Sequence, residues 1–520
     1  MATAYLSPGV YVEEVSGGTK PIAGVGTSTG AFVGIAERGE IGKAKLVTNW
    51  GQFVKEFGGF IPNGYLAYAV YSFFAEGGTS CYVVRTCHYT TITDAKSKTA
   101  LASAETLKDA DGKGAIRVTA SSDGKWGDGI IVTSGTATDL SGGFKLVVKY
   151  KNAKGDAEDV ESFDNLSLAN VEDVVNVQST YIRVEKDAWK EGGVDTTGTQ
   201  KIPKAGCSIT LAKGDDGIAD VNGAGTLTDA DFVGDASAQN GLYAFDIIDD
   251  VNIVAIPDKA GDPEVILAGT NYCKSRKDCF FVADAPKELA PTDAVKFRKG
   301  TGGGNTGNAF NSSYGGLYYP WVYISDPLTG KKKLVPPSGA VAGTYAYADS
   351  TRGVHKAPAG ITEGYLDSVV GIERIITKGE HDVLNPIGVN VIRSLSQGIC
   401  IWGARTLSAD AEWQYVNVRR LFLYIEESID EGTQWVVFEP NDPALWGKVK
   451  RNITAFLTRV WRDGALFGST PEEAFFVKVD AENNPPEVRD VGQLIIEVGV
   501  APVKPAEFVV IRISQKTLSK

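Results

Sequence analysis

Short, nearly unbroken apolar runs constrain this chain more than any other feature of its sequence. Ala31-Phe32-Val33-Gly34-Ile35, Val251-Asn252-Ile253-Val254-Ala255-Ile256 and Cys279-Phe280-Phe281-Val282-Ala283 carry a single polar interruption, Asn252, and Pro257-Asp258 and Asp284 close the last two. A strand without polar alternation leaves neither face to water, so these runs predict inner strands of one sheet covered on both sides. Leu66, Ala69, Val70, Phe73 and Phe74 recur at helical spacing before Gly77-Gly78, and Pro263 to Cys273 is compatible with a second helix. Cys81 to Arg85 reads as a further strand. Strands separated by helices in this way predict α/β architecture. At 520 residues the chain is several times a usual domain length, so about two to four domains are expected.

The rest of the chain is less uniform. Sixty glycines mostly punctuate short apolar runs, which predicts many turns. From about 90 to 235, Thr, Ser, Gly, Asp and Lys dominate, with alternating stretches such as Phe144-Lys145-Leu146-Val147-Val148-Lys149-Tyr150. That composition predicts an inserted β-rich domain facing solvent. Gly302 to Gly316 reads as a mobile loop. Further on, Asp442 as N-cap and Pro443 at the first helical position open a helix that Gly464 ends. Its apolar stripe is Leu445, Trp446, Val449, Ile453, Phe456, Leu457, Val460 and Trp461. Its polar side carries Lys448, Lys450, Arg451, Arg459 and Arg462 against only Asp442 and Asp463. That is either plain solvated surface or an electrostatic contact with an acidic partner.

Thr470-Pro471-Glu472-Glu473 reads as a capping box, and Leu494 to Val500 and Phe508 to Ser514 as closing strands. In the last of these Phe508, Val509, Val510 and Ile511 are apolar on both faces, behind a lead-in at Pro502 and Pro505. At the other end Val10, Tyr11, Val12 and Glu13 form a strand too short to stand alone. It pairs either within its own subunit or with a neighbour's sheet.

Signals for chemistry are weak throughout. The three histidines, His88, His355 and His381, fall in no H-E-x-x-H or other metal spacing. Gly302, Gly303, Gly304 and Gly307 lack the Lys-Ser/Thr of a phosphate loop. Asp109-Ala110-Asp111-Gly112 and Asp215-Asp216-Gly217 lack the twelfth-position Glu of a calcium loop and read as turns. Glu426-Glu427 and Glu472-Glu473 are sequence neighbours, which do not face each other on a helix. No G-x-S-x-G elbow is present. The six cysteines form no C-x-x-C pair and read as buried reduced thiols. A net charge of −12 argues against general nucleic-acid binding. No signal-peptide pattern and no run of about 20 apolar residues occurs, which predicts a chain made in the cytosol with no span of its own. These readings predict no enzyme, no cofactor and no metal.

Six phrases in chain order carry a family resemblance. They are Tyr5-Leu6-Ser7-Pro8-Gly9-Val10-Tyr11-Val12-Glu13-Glu14, Val335-Pro336-Pro337-Ser338-Gly339-Ala340-Val341-Ala342-Gly343, Arg352-Gly353-Val354-His355-Lys356-Ala357-Pro358, Trp402-Gly403-Ala404-Arg405-Thr406-Leu407, Phe438-Glu439-Pro440-Asn441-Asp442 and Ala501-Pro502-Val503-Lys504-Pro505-Ala506-Glu507-Phe508. Together they resemble the tail sheath proteins of contractile phage tails and phage-tail-like contractile injection systems, most weakly from about Tyr89 to Gly234.

The resemblance implies a mechanical subunit that stacks as hexameric rings around an inner tube and contracts to drive the tube through a target envelope. Its implied partners are other copies of itself, the inner tube protein, and baseplate and terminal cap proteins, with no direct contact to nucleic acid or membrane. Assembly would occur in the bacterial cytoplasm, with release or membrane anchoring left to other components. The expected fold is multidomain, α/β to α+β. It comprises an arm at 1–20, an α/β middle domain at 21–89 and 236–360, an inserted β-rich outer domain at 90–235, and a mixed-sheet C-terminal domain with helices at 361–520 ending in an arm. The resemblance favours strand pairing with a neighbour for Val10 to Glu13 and Phe508 to Ile511, and tube contact for Lys448, Arg451, Arg459 and Arg462. An α/β enzyme and a capsid-like shell protein are the rival readings.

Overall fold

The computed structural model describes residues 21–62, 64–151, 155–186, 201–218 and 227–508. They divide into two compact units, one of Gly26–Arg420 with the segment from Pro505, the other of Leu421–Lys504 with the segment up to Val25.

The larger unit is built on an eight-stranded sheet in the spatial order Ala44–Val47, Cys81–Arg85, Gly30–Gly34, Ile253–Ala255, Phe280–Asp284, Gly315–Tyr319, Val389–Leu395 and Gly398–Ile401. The six inner strands are parallel and the two outermost run antiparallel to their neighbours. Phe32 lies in register with Val83 on one side and Ala255 on the other. The apolar runs are these inner strands: Gly30–Gly34, Phe280–Asp284 and Gly315–Tyr319 are buried at every position. Each fully buried Phe or Val contributes about 1.5–3 kcal/mol, so burial on both faces holds this layer together.

The helices Leu66–Ala75 and Ser338–Arg352 pack closely because glycine stands at their contact. A Cβ on Gly339 would lie 2.4 Å from the Ala69 Cα, and one on Gly343 would lie 2.5 Å from the Phe73 carbonyl oxygen. Small residues four apart on one helix face let two backbones approach to this distance. Helix Pro263–Arg276 opens at Asp262, whose carboxylate accepts from the Glu264 and Val265 N–H groups.

The strands between 104 and 210 form a three-stranded sheet (Ala104–Lys108, Gly114–Ala120, Ile182–Glu185) and a four-stranded one. The latter runs Ser208–Thr210, Ile130–Thr136, Phe144–Lys151, Ala157–Leu166, all antiparallel. Alternate residues such as Val132, Leu146 and Val148 meet Ile116, Val118 and Trp126 in one core.

Three local expectations fail. Gly302–Gly316 is not a loose loop: Thr301–Gly302 and Asn305–Thr306 pair, and Gly315 begins an inner strand. Buried Asn305 donates to the Phe297 and Asn308 carbonyls, and buried Arg298 donates to those of Phe310 and Leu407. Those donors supply the order that glycine composition hides. Thr470 makes no side-chain cap; the Glu473 carboxylate accepts from Ser469 N–H at 2.8 Å instead. The strand expected from Leu494 starts at Glu497, because the Asn484 amide pairs with both backbone groups of Ile495 at 2.6 and 2.9 Å.

Candidate assembly surfaces

In the smaller unit, helix Pro443–Arg462 begins where expected, with the Asp442 carboxylate accepting from Leu445 N–H at 2.8 Å. Leu445, Trp446, Val449, Ile453, Phe456, Leu457 and Val460 are buried; Trp461 is half-buried and donates to the Gly468 carbonyl at 2.9 Å. At about 100° per residue, Lys448, Arg451, Arg459 and Arg462 fall within an arc of about 80°. All four are exposed, as is Lys450 at the other margin of the buried stripe. The four are not equivalent, however, since Arg459 donates to the backbone carbonyl of Ile22.

That contact belongs to a built root for the N-terminal segment. Ile22 is 1% exposed. Gly432 makes room for it: a Cβ there would lie 2.6 Å from the Ile22 side chain. A Cβ on Gly24 would lie 2.1 Å from the Tyr424 hydroxyl, and Val25 N–H donates to the buried Ser428 hydroxyl at 3.1 Å. Helix Val416–Thr433 therefore offers Tyr424, Ser428 and Gly432, four residues apart on one face, to a backbone that only glycine lets this close. Val10, Tyr11, Val12 and Glu13 lie outside the described residues.

The other end has its own root in the larger unit. The Glu507 carboxylate accepts from Arg405 Nε at 2.9 Å and Nη2 at 2.5 Å, from Asn385 Nδ2 at 2.5 Å and from the Tyr415 hydroxyl at 3.2 Å. Burial by itself would raise this carboxyl, but the Arg405 and Asn385 hydrogen bonds outweigh it and hold the group below its ordinary pKa. Phe508 is 74% exposed, and Val509, Val510 and Ile511 lie outside the described residues. Sequence reading missed both roots. Arg405 and Glu507 stand in two of the quoted phrases, which was the available signal.

Where an α/β enzyme opens a crevice, at the carboxyl ends of strands flanking the point where strand order reverses, this chain places two carboxylates that accept from backbone N–H groups. Strands Gly30–Gly34 and Ile253–Ala255 flank that point. There Asp258 accepts from Ile35 N–H at 2.7 Å and from Tyr65 N–H, ahead of helix Leu66–Ala75. One strand over, Asp284 accepts from Ser338 N–H at 2.7 Å, opening helix Ser338–Arg352. Desolvation pushes Asp258 up to about 6 and Asp284 up to about 7. Asp258 thus accepts a backbone N–H on each carboxylate oxygen, whereas Asp284 accepts one through Oδ1. Among the described residues no three His, Cys, Asp or Glu side chains converge as metal ligands, and no helix is long and apolar enough to cross a membrane. All six cysteines are free thiols, five of them buried.

Two family models match consecutively, the phage tail sheath protein central domain over 225–407 and the phage tail sheath C-terminal domain over 408–516. Together they span more than half the chain. The tail sheath protein of Vibrio phage KVP40 is 26% identical over 300 residues, 53% of this chain and 44% of the relative. That of Burkholderia phage BcepMu is 30% identical over 194 residues, 35% of this chain and 38% of the relative. The matched stretches thus span less than half the length of these relatives. Among solved structures, the PVC sheath complex of an extracellular contractile injection system in its contracted state aligns with a TM-score of 0.57 at 21% identity, covering 99% of each chain. The Listeria innocua sheath tail protein gives 0.62 at 14% identity, covering 94% of each. The chain belongs to the phage tail sheath protein family and is, at that level, a structural subunit of a sheath.

Proposed function

We propose that this subunit polymerises with itself as stacked hexameric rings around an inner tube, and that contraction of the sheath drives the tube through a target envelope. The match of both sheath family models in chain order, over 225–516, carries the reading. In it, the arms at 1–20 and beyond Phe508 add strands to neighbouring subunits, the inserted residues 90–235 face outward, and Leu421–Lys504, the part of 361–520 that lies outside the larger unit, forms the inner domain. Main-chain hydrogen bonds supply affinity in such strand addition, and the two roots fix where each arm leaves its unit. The exposed arc of Lys448, Arg451 and Arg462 touches the tube, and baseplate and cap proteins close the ends. Assembly takes place in the bacterial cytoplasm as part of a phage tail or phage-tail-like particle.

The mechanics need no bound cofactor. Each subunit moves largely as a rigid body between two lattices, and coupling of about 1–3 kcal/mol per subunit adds up along the particle. Electron microscopy of the purified full-length chain, with and without its tube, tests this. Striated tubes of stacked rings are expected; a monomer or closed shell at every concentration overturns it.

A further inference from the structure

A cleft of 720 Å³ runs within the larger unit between the inserted strands and the outer edge of the eight-stranded sheet. Its walls are tied together. Arg85 donates through Nη1 to the carbonyl of Gly39 on one wall at 3.0 Å and to that of Asp123 on the other at 2.7 Å. Gly39 N–H donates to the Ser122 hydroxyl at 3.0 Å. The cleft is therefore a fixed feature of the unit. Arg85 is 1% exposed, its Nη2 makes no hydrogen bond, and Asp216 comes no nearer than 3.9 Å. A desolvated positive charge thus sits directly behind the two walls.

Its lining is cationic on an acidic chain. Arg38, Lys43, Lys45, Lys55, Lys98 and Arg183 face it, against three carboxylates, Glu40, Glu56 and Asp123. Lys43 pairs with Glu40, Lys98 with Asp123, and Lys45 lies 3.8 Å from Glu56. Arg38, Lys55 and Arg183 are left without a carboxylate. Lys55 is exposed and makes no ion pair among the described residues. The Arg38 guanidinium lies 5.5 Å from the ring centroids of both Trp126 and Tyr181 and donates through Nη2 to the Val54 carbonyl, so it spans the two walls. Its Nε is shielded from solvent and has no partner. Arg183 donates through Nη1 to the Ser179 and Ile182 carbonyls. A guanidinium has five N–H donors, so both arginines keep several for a ligand.

We propose that this cleft binds an oligophosphate, either free or borne on the headgroup of a glycolipid. The planar guanidinium matches phosphate oxygens bidentately, and each phosphate brings dense negative charge and several acceptor oxygens to the three unpaired cations. A cleft of one sign with low-dielectric walls focuses its field on such a ligand, and buried Arg85 adds to that field. The volume lies within the range of about 300–1,000 Å³ that encloses a whole small molecule, so linked phosphates fill it better than one. An acidic peptide fits less well, because Val177 is the one exposed large apolar side chain of the lining. A ligand bridging Lys55 and Arg38 to Arg183 ties the inserted strands to the sheet edge. The site lies wholly within the larger unit and does not depend on assembly into a sheath.

Isothermal titration of the full-length chain with sodium tripolyphosphate, at an ionic strength of about 0.15 M, tests it. Tripolyphosphate should bind roughly tenfold or more tightly than orthophosphate or sulfate. Lys55→Glu and Arg183→Glu should each weaken that binding roughly tenfold. Thermal melts of the free variants should match wild type. Lys55 is exposed and unpaired, so its variant reads the site even where Arg183→Glu loosens the backbone it holds. Lys448→Glu with Arg462→Glu, on the basic helix of the smaller unit, should leave the affinity unchanged. Phosphatidylcholine vesicles carrying diphosphorylated lipid A distinguish the two sources. Displacement of tripolyphosphate by the vesicles supports a headgroup, and binding that they leave intact supports a free chain. Absence of saturable tripolyphosphate binding, undiminished affinity in the cleft variants, an equal loss in the helix variant, or tighter binding of a glutamate-rich peptide overturns the proposal.

Discussion

Arg405 holds Glu507 from 102 residues away in sequence, through Nε at 2.9 Å and Nη2 at 2.5 Å. Charged hydrogen bonds of this kind contribute about 1.5–3 kcal/mol. Arg405→Ala should lower the unfolding free energy of the larger unit, read from urea titration, by an amount in that range. Because the Glu507 carboxyl sits below its ordinary pKa, its contribution is present at neutral pH and is lost as pH falls through the folded value. An Arg405→Ala chain as stable as wild type at pH 7 would show that the root holds nothing.

Asp284 and Asp258 titrate with the opposite sign. Desolvation raises them to about 7 and about 6, so the folded unit keeps protons that the unfolded chain has released. Stability from these groups is therefore greatest at low pH and declines as pH rises from about 4 to about 7. Asp284→Asn keeps an oxygen for the Ser338 N–H but cannot ionise. Denaturant titrations at pH 5 and pH 8 should differ less in this variant than in wild type; an equal difference counts against the assignment.

Two glycines should respond in opposite directions. Valine at Gly343 would press into the Phe73 carbonyl, and overpacking of this kind destabilises by about 1–3 kcal/mol. Gly447, inside helix Pro443–Arg462, has nothing within 4 Å of a built Cβ. Gly447→Ala should stabilise by about 0.5–1 kcal/mol, the helix propensity difference. Thermal melts of the two variants decide both.

On the basic helix, Lys448→Glu combined with Arg462→Glu should weaken co-sedimentation with tubes and remove most of its salt dependence. The fold should hardly respond, because exposed charges contribute about 0–1 kcal/mol. Arg459→Glu should behave differently, since it also loosens Ile22. Salt near 1 M shortens screening to about 3 Å and should mimic the double reversal in wild type. Tube binding by the double variant equal to wild type at low salt would place the tube contact elsewhere.

Removing residues 1–18 should leave the Ile22 root and a folded subunit, yet abolish long sheaths. Wild-type-length tubes from the truncated chain, seen by electron microscopy, would count against strand exchange through the N-terminal arm.

Legibility followed the range of the interaction that decides each element. The inner strands could be read from Ala31–Ile35 and Cys279–Ala283 because burial on both faces writes itself into consecutive residues. Helix Pro443–Arg462 was equally plain, its cap and stripe being local. The order around Gly302–Gly316 was hidden because Arg298 reaches the Leu407 carbonyl from 109 residues away. The roots were hidden for the same reason: nothing near Ile22 announces Arg459, 437 residues on. A tertiary contact between single polar groups leaves no period in the sequence.

The two roots also decide how a force on either arm enters the subunit. A pull beyond Phe508 reaches Glu507 first, where Arg405, Asn385 and Tyr415 share the load. A pull on the N-terminal segment meets Arg459, Ser428 and the packed Ile22 together. At each place several bonds share the load, whereas the rungs of a peeled strand part singly. The units behind them can then be dragged without being unravelled.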